Sequence, residues 1–314
     1  MTGSNRVALI VGHRGQDGTL LQRRLVADGT KVIGVGRPDR TGMEKSSITD
    51  LSDIADAERL VRSVRPTEVY YLAAHHGSSE TMANEPEATN ILESWETHVT
   101  GFENLLYALR EFGGSVQIAL ASSCLIYGPS AHPINETTAL QPDSVYGITK
   151  AAAVLLAREH RKQGVPVFTA VLFPHESGLR KETFIASKIV RAGLRIAAGS
   201  DERLAIGDLE STVDWSMAYD VVSCLVELIR TGVPDEYVFA SGRVNTIQEF
   251  LESVSRQLRI PLLERVDIQP DNLLRPHVRR FGDPRRLMSA TSWQPDPNID
   301  AFVERLIESH RKHL

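Results

Sequence analysis

The run RVALIVG at residues 6–12 passes directly into three glycines, Gly12, Gly15 and Gly18, spaced G-x-x-G-x-x-G, and these open an amphipathic stretch over about 17–28. An apolar run of that length reads as a buried strand, and a strand that turns on glycine into a helix commits the chain to a strand–helix crossover. With no side chains at the turn, a pyrophosphate can approach the backbone and meet the unpaired N–H groups of the helix start. Glycines alone mark only a tight turn. The strand before and the helix after make dinucleotide binding the expectation, with Gln16 and Asp17 inside the same turn.

The pattern then repeats. TKVIGVG at 30–36, EVYYLAA at 68–74, VQIALASS at 116–123 and VPVFTAVLF at 165–173 read as further buried strands, with helical spacing over roughly 17–28, 51–64, 91–112 and 144–163. This alternation predicts an α/β fold, a doubly wound parallel sheet with ligands at the carboxyl ends of the strands. Beyond about residue 175 the pattern loosens, and later helices are expected near 184–195, 217–231, 246–257 and 299–312. The chain is therefore divided at 174/175. A nucleotide-binding domain over 1–174 takes back a segment near 212–240, and a smaller C-terminal lobe spans 175–314. There is no internal repeat or low-complexity linker.

Composition narrows the function classes. A formal net charge of -5 gives no basic field for nucleic acid. Cys124 and Cys224, the only cysteines among 314 residues, make neither a disulfide framework nor a zinc cluster. No apolar stretch approaches the ~20 residues of a membrane span, so a soluble cytoplasmic protein is expected.

Chemistry concentrates around Tyr146 and Lys150 in SVYGITKAAAVLLA, four apart and so on one helix face, with Ser122 and Ser123 ending an upstream strand. Serine, tyrosine and lysine form a proton-relay set. An ammonium beside a phenol lowers its pKa, and the phenol then exchanges a proton with a sugar hydroxyl or carbonyl while a nicotinamide handles the hydride. The second strand ends in Gly36-Arg37-Pro38, with no acid for the ribose hydroxyls. Arg37 suits a 2′-phosphate, which favours NADP(H) over NAD(H), although it reads also as a solvated loop residue. Asp50-Leu51, after a short third strand, suits the adenine edge, and Asp50 suits equally a helix N-cap. Ala73, Ala74, His75 and His76 follow EVYYL where the ribose and nicotinamide would pass; a histidine pair in a loop is as often solvated or capping. Glu176 and Asp214, polar in apolar surroundings, read as organisers of backbone turns. Arg279, Arg280, Arg285 and Arg286 read either as a diphosphate patch or as a salt-bridged surface.

GHRGQDGTLL, DLSD, PTEVYYLAA, the serine followed by Tyr127-Gly128, Tyr146 and Lys150, then LFPHES, KETFIASKI, IGDLESTVDW and LLRPHVRRFGDP together resemble the extended short-chain dehydrogenase/reductases, nearest the GDP-mannose 4,6-dehydratase branch. The resemblance covers nearly the whole chain. It implies a Rossmann-type domain holding NADP(H), a C-terminal lobe holding a nucleotide-diphosphate sugar, with a GDP-sugar favoured, and a homodimer formed through helices near 91–112 and 144–163. By position, it implies that Gly12, Gly15 and Gly18 hold the pyrophosphate and Arg37 the 2′-phosphate. Ser123, placed by its spacing to Tyr127, would act with Tyr146 and Lys150, His175 would lie by the nicotinamide, and Lys188 and Arg275 would meet the nucleotide diphosphate.

The departures bear on function. Dehydratases of this family carry a glutamate two positions after the Ser/Thr, and here that position is Leu125. A leucine takes no proton, so 4,6-dehydration is expected to be lost or severely slowed. Cys124, between them, is either an acid facing substrate or inert packing. The family's RDW reads Val213-Asp214-Trp215, and its RPTEV-like segment reads Arg275-Pro276-His277-Val278, which removes an arginine and a glutamate expected at the nucleotide. What remains is hydride transfer at sugar C4. The first expectation is a nucleotide-sugar 4-ketoreductase, the second a C4 epimerase with retained cofactor. A residual dehydratase and a non-catalytic sugar-nucleotide sensor rank last.

Overall fold

Five of the apolar runs, and one short run that periodicity passed over, build a single parallel sheet. The computed structural model describes residues 6–36, 50–75, 87–269 and 279–313. Strands β1 (Val7–Val11), β2 (Lys31–Val35), β3 (Glu68–Tyr71), β4 (Gln117–Ser123), β5 (Val167–Leu172) and β6 (Glu236–Phe239) lie in the order β6-β5-β4-β3-β1-β2. Every pairing is parallel. The order reverses between β1 and β3, which opens a crevice at their carboxyl ends. The short third strand expected before Asp50 lies outside the described residues.

Alternation along the strands sorts the two faces. Ala8 and Ile10 point to α1 (Gln16–Ala27) and α7 (Ala218–Thr231), whereas Leu9 and Val11 point to α2 (Ile54–Val64) and α4 (Gly101–Phe112). The long helix α5 (Val145–Lys162) covers β4 and β5 on that second face, and α9 (Arg285–Ala290) returns Leu287 to the first. β6 is legible only in three dimensions, because it is four residues led by a glutamate. Glu236 is nonetheless buried, its carboxylate held by Arg158 at 2.6 and 2.8 Å and by Arg161 at 2.7 Å.

The expected helix over 91–112 is broken. α3 (Glu87–Trp95) runs into a π turn at Glu96–Thr100 before α4 begins at Gly101. The wider turn leaves the Thr97 carbonyl for the buried Tyr71 hydroxyl, which donates to it at 2.6 Å. A Cβ on Gly101 would lie 2.8 Å from that same hydroxyl, so the glycine lets the bulge seat on β3.

A second core forms where α6 (Ile185–Ala197), α8 (Ile247–Leu258) and α10 (Ile299–Arg311) surround Trp215, whose ring lies 4.9 Å from Phe250 and stacks on Phe302 at 6.2 Å. Short strand pairs link this core to the sheet, among them His175–Glu176 beside Ser216–Met217. Asp214 fastens three segments at that junction. Fully buried, it accepts from Ser241 N at 2.8 Å, Ser241 Oγ at 2.5 Å, Gly242 N at 3.1 Å and Gly282 N at 3.0 Å. Burial raises its pKa against the lowering effect of these donors.

Asp214→Ala would leave three backbone N–H groups without an acceptor, and a loss of about 3–5 kcal/mol is expected by urea unfolding. Asp214→Asn, which keeps one acceptor oxygen, should lose less. A loss below about 1 kcal/mol in the alanine variant would show that these donors find other partners.

Candidate active site

The glycine turn is built by close approach. Gly12 has φ +93°, and a Cβ there would lie 2.8 Å from Ala73 N, so the ends of β1 and β3 touch at the sheet's switch point. A Cβ on Gly18 would sit 2.4 Å from Gly12 O. Gly15 differs, because its Cβ position meets only Gly12 O at 3.5 Å and is otherwise open. Gly15 is also the N-cap of α1, and as a glycine it offers no side chain to cap the first turn of that helix. Those N–H groups and the positive helix end suit a pyrophosphate, so the turn fits a dinucleotide.

Gln16 and Asp17 turn inward and clasp the segment after β5. Gln16 Nε2 donates to His175 O at 3.1 Å, Ser177 Oγ donates to Gln16 Oε1 at 2.8 Å, and His175 Nε2 meets Asp17 Oδ2 at 2.9 Å. The other ring nitrogen of His175 faces Phe173 O at 2.7 Å. Both ring nitrogens thus face acceptors, which favours the imidazolium. Burial acts to lower the His175 pKa, but the Asp17 carboxylate outweighs it and the value is raised; for Asp17, burial acts upward and His175 outweighs it downward.

Ser123, Tyr146 and Lys150 converge where β3, β4 and α5 meet. Ser144 caps α5 by accepting from Gly147 N at 3.2 Å, which starts the helix one residue before Tyr146. A Cβ on Gly147 would lie 2.3 Å from Leu125 O, so only glycine lets α5 press against the turn after β4. Lys150 Nζ is buried and donates to Ala73 O at 3.2 Å and Ala121 O at 3.0 Å, 5.8 Å from the centre of the Tyr146 ring. Burial lowers its pKa to about 7. Burial likewise raises that of Tyr146, partly offset by the Arg180 charge and a hydrogen bond with Ser123. Ser122, by contrast, is buried on the other side of the strand, and its hydroxyl has no partner among the described residues. Cys124 is buried among Ile126, Val154, Val171 and Phe173, and Leu125 packs against that cluster.

The remaining sequence candidates scatter. His75 N donates to His98 Nε2 at 3.0 Å, and its own Nδ1 lies 3.2 Å from Glu93; Ala74 is exposed beside it. Asp50 uses its carboxylate on Ser52, while Asp53 caps α2 and Leu51 is buried against Tyr71 and Phe102. Lys188 stands on α6, one turn after Phe184. The four arginines separate: Arg280 is buried on Asp143 and Tyr127 O, Arg285 pairs with Asp283, Arg286 with Asp235, and Arg279 lies over Phe281. Arg37, His76 and Arg275 lie outside the described residues.

Sequence reasoning missed four contributors. Arg14 approaches Gly36 at the tip of β2, and Arg180 lies 3.6 Å over the Phe184 ring with Nε 3.8 Å from Glu176. His98 and Thr149 bond each other at 2.7 Å beside Tyr146. Arg14 carried a legible signal, a cation inside the glycine turn. The others depend on long-range packing. Among the described residues there is no cluster of metal-ligating side chains and no helix long and apolar enough to cross a membrane.

Comparison with known proteins agrees with this geometry. The family model of GDP-mannose 4,6 dehydratase matches residues 9–306. GDP-mannose 4,6 dehydratase 2 of Arabidopsis thaliana is 28% identical over 327 residues, covering 96% of this chain and 86% of that protein. GDP-mannose 4,6 dehydratase of Dictyostelium discoideum is 31% identical over 285 residues, covering 83% and 78%. Among solved structures, RMD from Pseudomonas aeruginosa complexed with NADPH superposes with a TM-score of 0.80 at 25% identity, covering 100% of both chains. The UDP-glucose 4-epimerase of Thermus thermophilus in complex with NAD shares the fold, with a TM-score of 0.77 at 22% identity over 98% of this chain and 100% of its own. The glycine turn, the Ser123–Tyr146–Lys150 convergence and a match spanning both cores agree: the chain belongs to the GDP-mannose 4,6-dehydratase family of extended short-chain dehydrogenase/reductases.

Proposed function

We propose that this NAD(P)-dependent nucleotide-sugar enzyme is a 4-ketoreductase that reduces an NDP-4-keto-hexose, a GDP-sugar being favoured. The observation that carries the reading is Leu125. Two residues beyond Ser123, where 4,6-dehydration needs a proton acceptor, stands an alkyl side chain packed against an apolar cluster. Carbonyl reduction needs only a proton donor there. Tyr146 supplies that proton to the developing alkoxide, Ser123 donates a hydrogen bond to the same oxygen, and Lys150, titrating near neutrality, reprotonates the phenol and holds the nicotinamide ribose. The bound nicotinamide supplies the hydride. Arg14 beside Gly36, followed by Arg37, favours NADP(H). In this reading the C-terminal lobe carries the sugar nucleotide, with Lys188 and Arg275 on its diphosphate and Cys124 and Leu125 against the sugar.

The test incubates the protein with GDP-4-keto-6-deoxymannose, GDP-mannose and their UDP, CDP, ADP and dTDP counterparts, with NADPH and then NADH, following cofactor absorbance and product mass. Cofactor oxidation matched by a sugar that gains two hydrogens is expected, with Tyr146→Phe lowering kcat ~10²–10⁴-fold. An altered sugar with no net cofactor use would replace this reading with the epimerase. Loss of water from GDP-mannose would overturn the argument from Leu125.

We also propose a homodimer through α3 and α5. These neighbouring helices expose Ile91, Leu92, Trp95, Ile148 and Leu155, and Ile148 and Leu155 share one helical face. Sedimentation velocity should give a dimer for the parent and a monomer for Leu92→Asp/Leu155→Asp; a monomeric parent sinks the idea.

The buried ammonium carries a stability cost that activity explains. Folded Lys150 loses its proton near pH 7, whereas an unfolded lysine keeps it to about 10.5, so the unfolded chain binds more protons between those values and stability rises with pH. Relative to Lys150→Met, which is expected to be inactive, the parent should gain stability on the order of 5 kcal/mol from pH 7 to 10.5 by urea unfolding. A pH-independent difference would mean that the ammonium is well solvated.

A further inference from the structure

We propose that His98 is a positioning residue that fixes the geometry between Tyr146 and Lys150, an inference that rests on the catalytic reading above. His98 is 1% exposed, on the π turn between α3 and α4. Its imidazole lies edge-on to the Tyr146 ring, centroids 5.3 Å apart at 90°. Nδ1 lies 2.7 Å from Thr149 Oγ1, and Nε2 lies 3.0 Å from the backbone N of His75.

The partners determine the tautomer. A backbone N–H only donates, so Nε2 is the acceptor and the proton sits on Nδ1. The single hydrogen of Thr149 is directed at the carbonyls of Val145 and Tyr146, 3.0 and 3.1 Å away, which leaves Oγ1 to accept from Nδ1–H. A side chain needed only for packing would require neither feature. Imidazole supplies a donor and an acceptor on opposite edges of a flat ring, matched to one hydroxyl and one amide.

The contacts close a circuit. From Lys150 the chain of bonds runs to Ala73 O, along the backbone to His75, across His98 to Thr149, and back to Lys150 through the helix. Tyr146 is gripped inside it, by the His98 ring edge and by the Thr149 bond to its own carbonyl. His98 therefore sets the path of Ala73–His75, which holds the ammonium, and the direction of the phenol at once. His98 stands on the π turn, which packs directly against α5.

The test measures kcat and KM with NADPH and GDP-4-keto-6-deoxymannose, or the nucleotide counterpart that turns over. His98→Ala and Thr149→Val are each expected to lower kcat ~10–100-fold with the sugar-nucleotide KM within about threefold. Thr149→Ser, which keeps the hydroxyl, should restore most of what Thr149→Val loses. The double variant His98→Ala/Thr149→Val should be no worse than His98→Ala alone, since both cut one link. A folded His98→Ala with parental kcat overturns the inference, as do losses that multiply or a Thr149→Ser as impaired as Thr149→Val. Hydrogen exchange at the His75 amide needs no substrate: His98→Ala should lose its protection while β3 keeps its own, and unchanged protection counts against the role. A parent inactive on every sugar nucleotide would refute the catalytic reading instead, and the exchange experiment then decides the role of His98 by itself.

Discussion

The site depends on one buried ammonium shared between two strand ends. Lys150 Nζ donates to Ala73 O beyond β3 and to Ala121 O within β4, so helix α5 is pinned to these two neighbouring strands, beside the crevice that the reversal of strand order opens between β1 and β3. Ala73 is also the residue against which Gly12 closes, so the same few atoms set the distance from the glycine turn to the helix that carries Tyr146 and Lys150. Displacing Lys150 would move the glycine turn and the phenol together, which ties the proposed chemistry to the sheet and not to a loop.

Burial acts on these groups in opposite directions with one effect. It lowers the pKa of Lys150 and raises that of Tyr146, because in each case the charged form loses solvation. The phenol thus stays protonated and able to give its proton, while Lys150, titrating near pH 7, still samples the ammonium that can return a proton to the phenolate. Around it, charges are fixed by partners. Asp17 and His175 hold each other ionised beneath the glycine turn, and Arg180 adds positive potential near the phenol.

Local signals were legible in the sequence because local physics produces them. Gly12 and Gly18 are demanded by backbone contacts within the turn and its neighbouring strand, and Tyr146 and Lys150 share a face because helices repeat that way. What escaped was set at long range. β6 is too short and too polar at its start to read as a strand until Arg158 and Arg161 neutralise Glu236. The π turn is not legible in ETHVTG, because the partner of its Thr97 carbonyl, the Tyr71 hydroxyl, comes from β3, and His98 on that turn meets Tyr146 only in three dimensions. Ser123, chosen over Ser122 in the sequence by its spacing to Tyr127, is set apart in the structure by strand pleat: one hydroxyl reaches Tyr146 and the other is buried on the opposite side of β4.

Leu125 gains its meaning from the state of two carboxyl groups beside His175 and Arg180, Asp17 and Glu176. Asp17 is already committed to His175, and its lowered pKa makes it a poor acceptor of a sugar proton. Glu176 is buried beside Arg180, and burial pushes its pKa up toward the neutral acid. Neither stands as a free carboxylate able to replace the glutamate that Leu125 displaces. Among the described residues, a phenol to give a proton, an ammonium to renew it and two carboxyl groups already committed elsewhere favour the proposed carbonyl reduction over elimination of water.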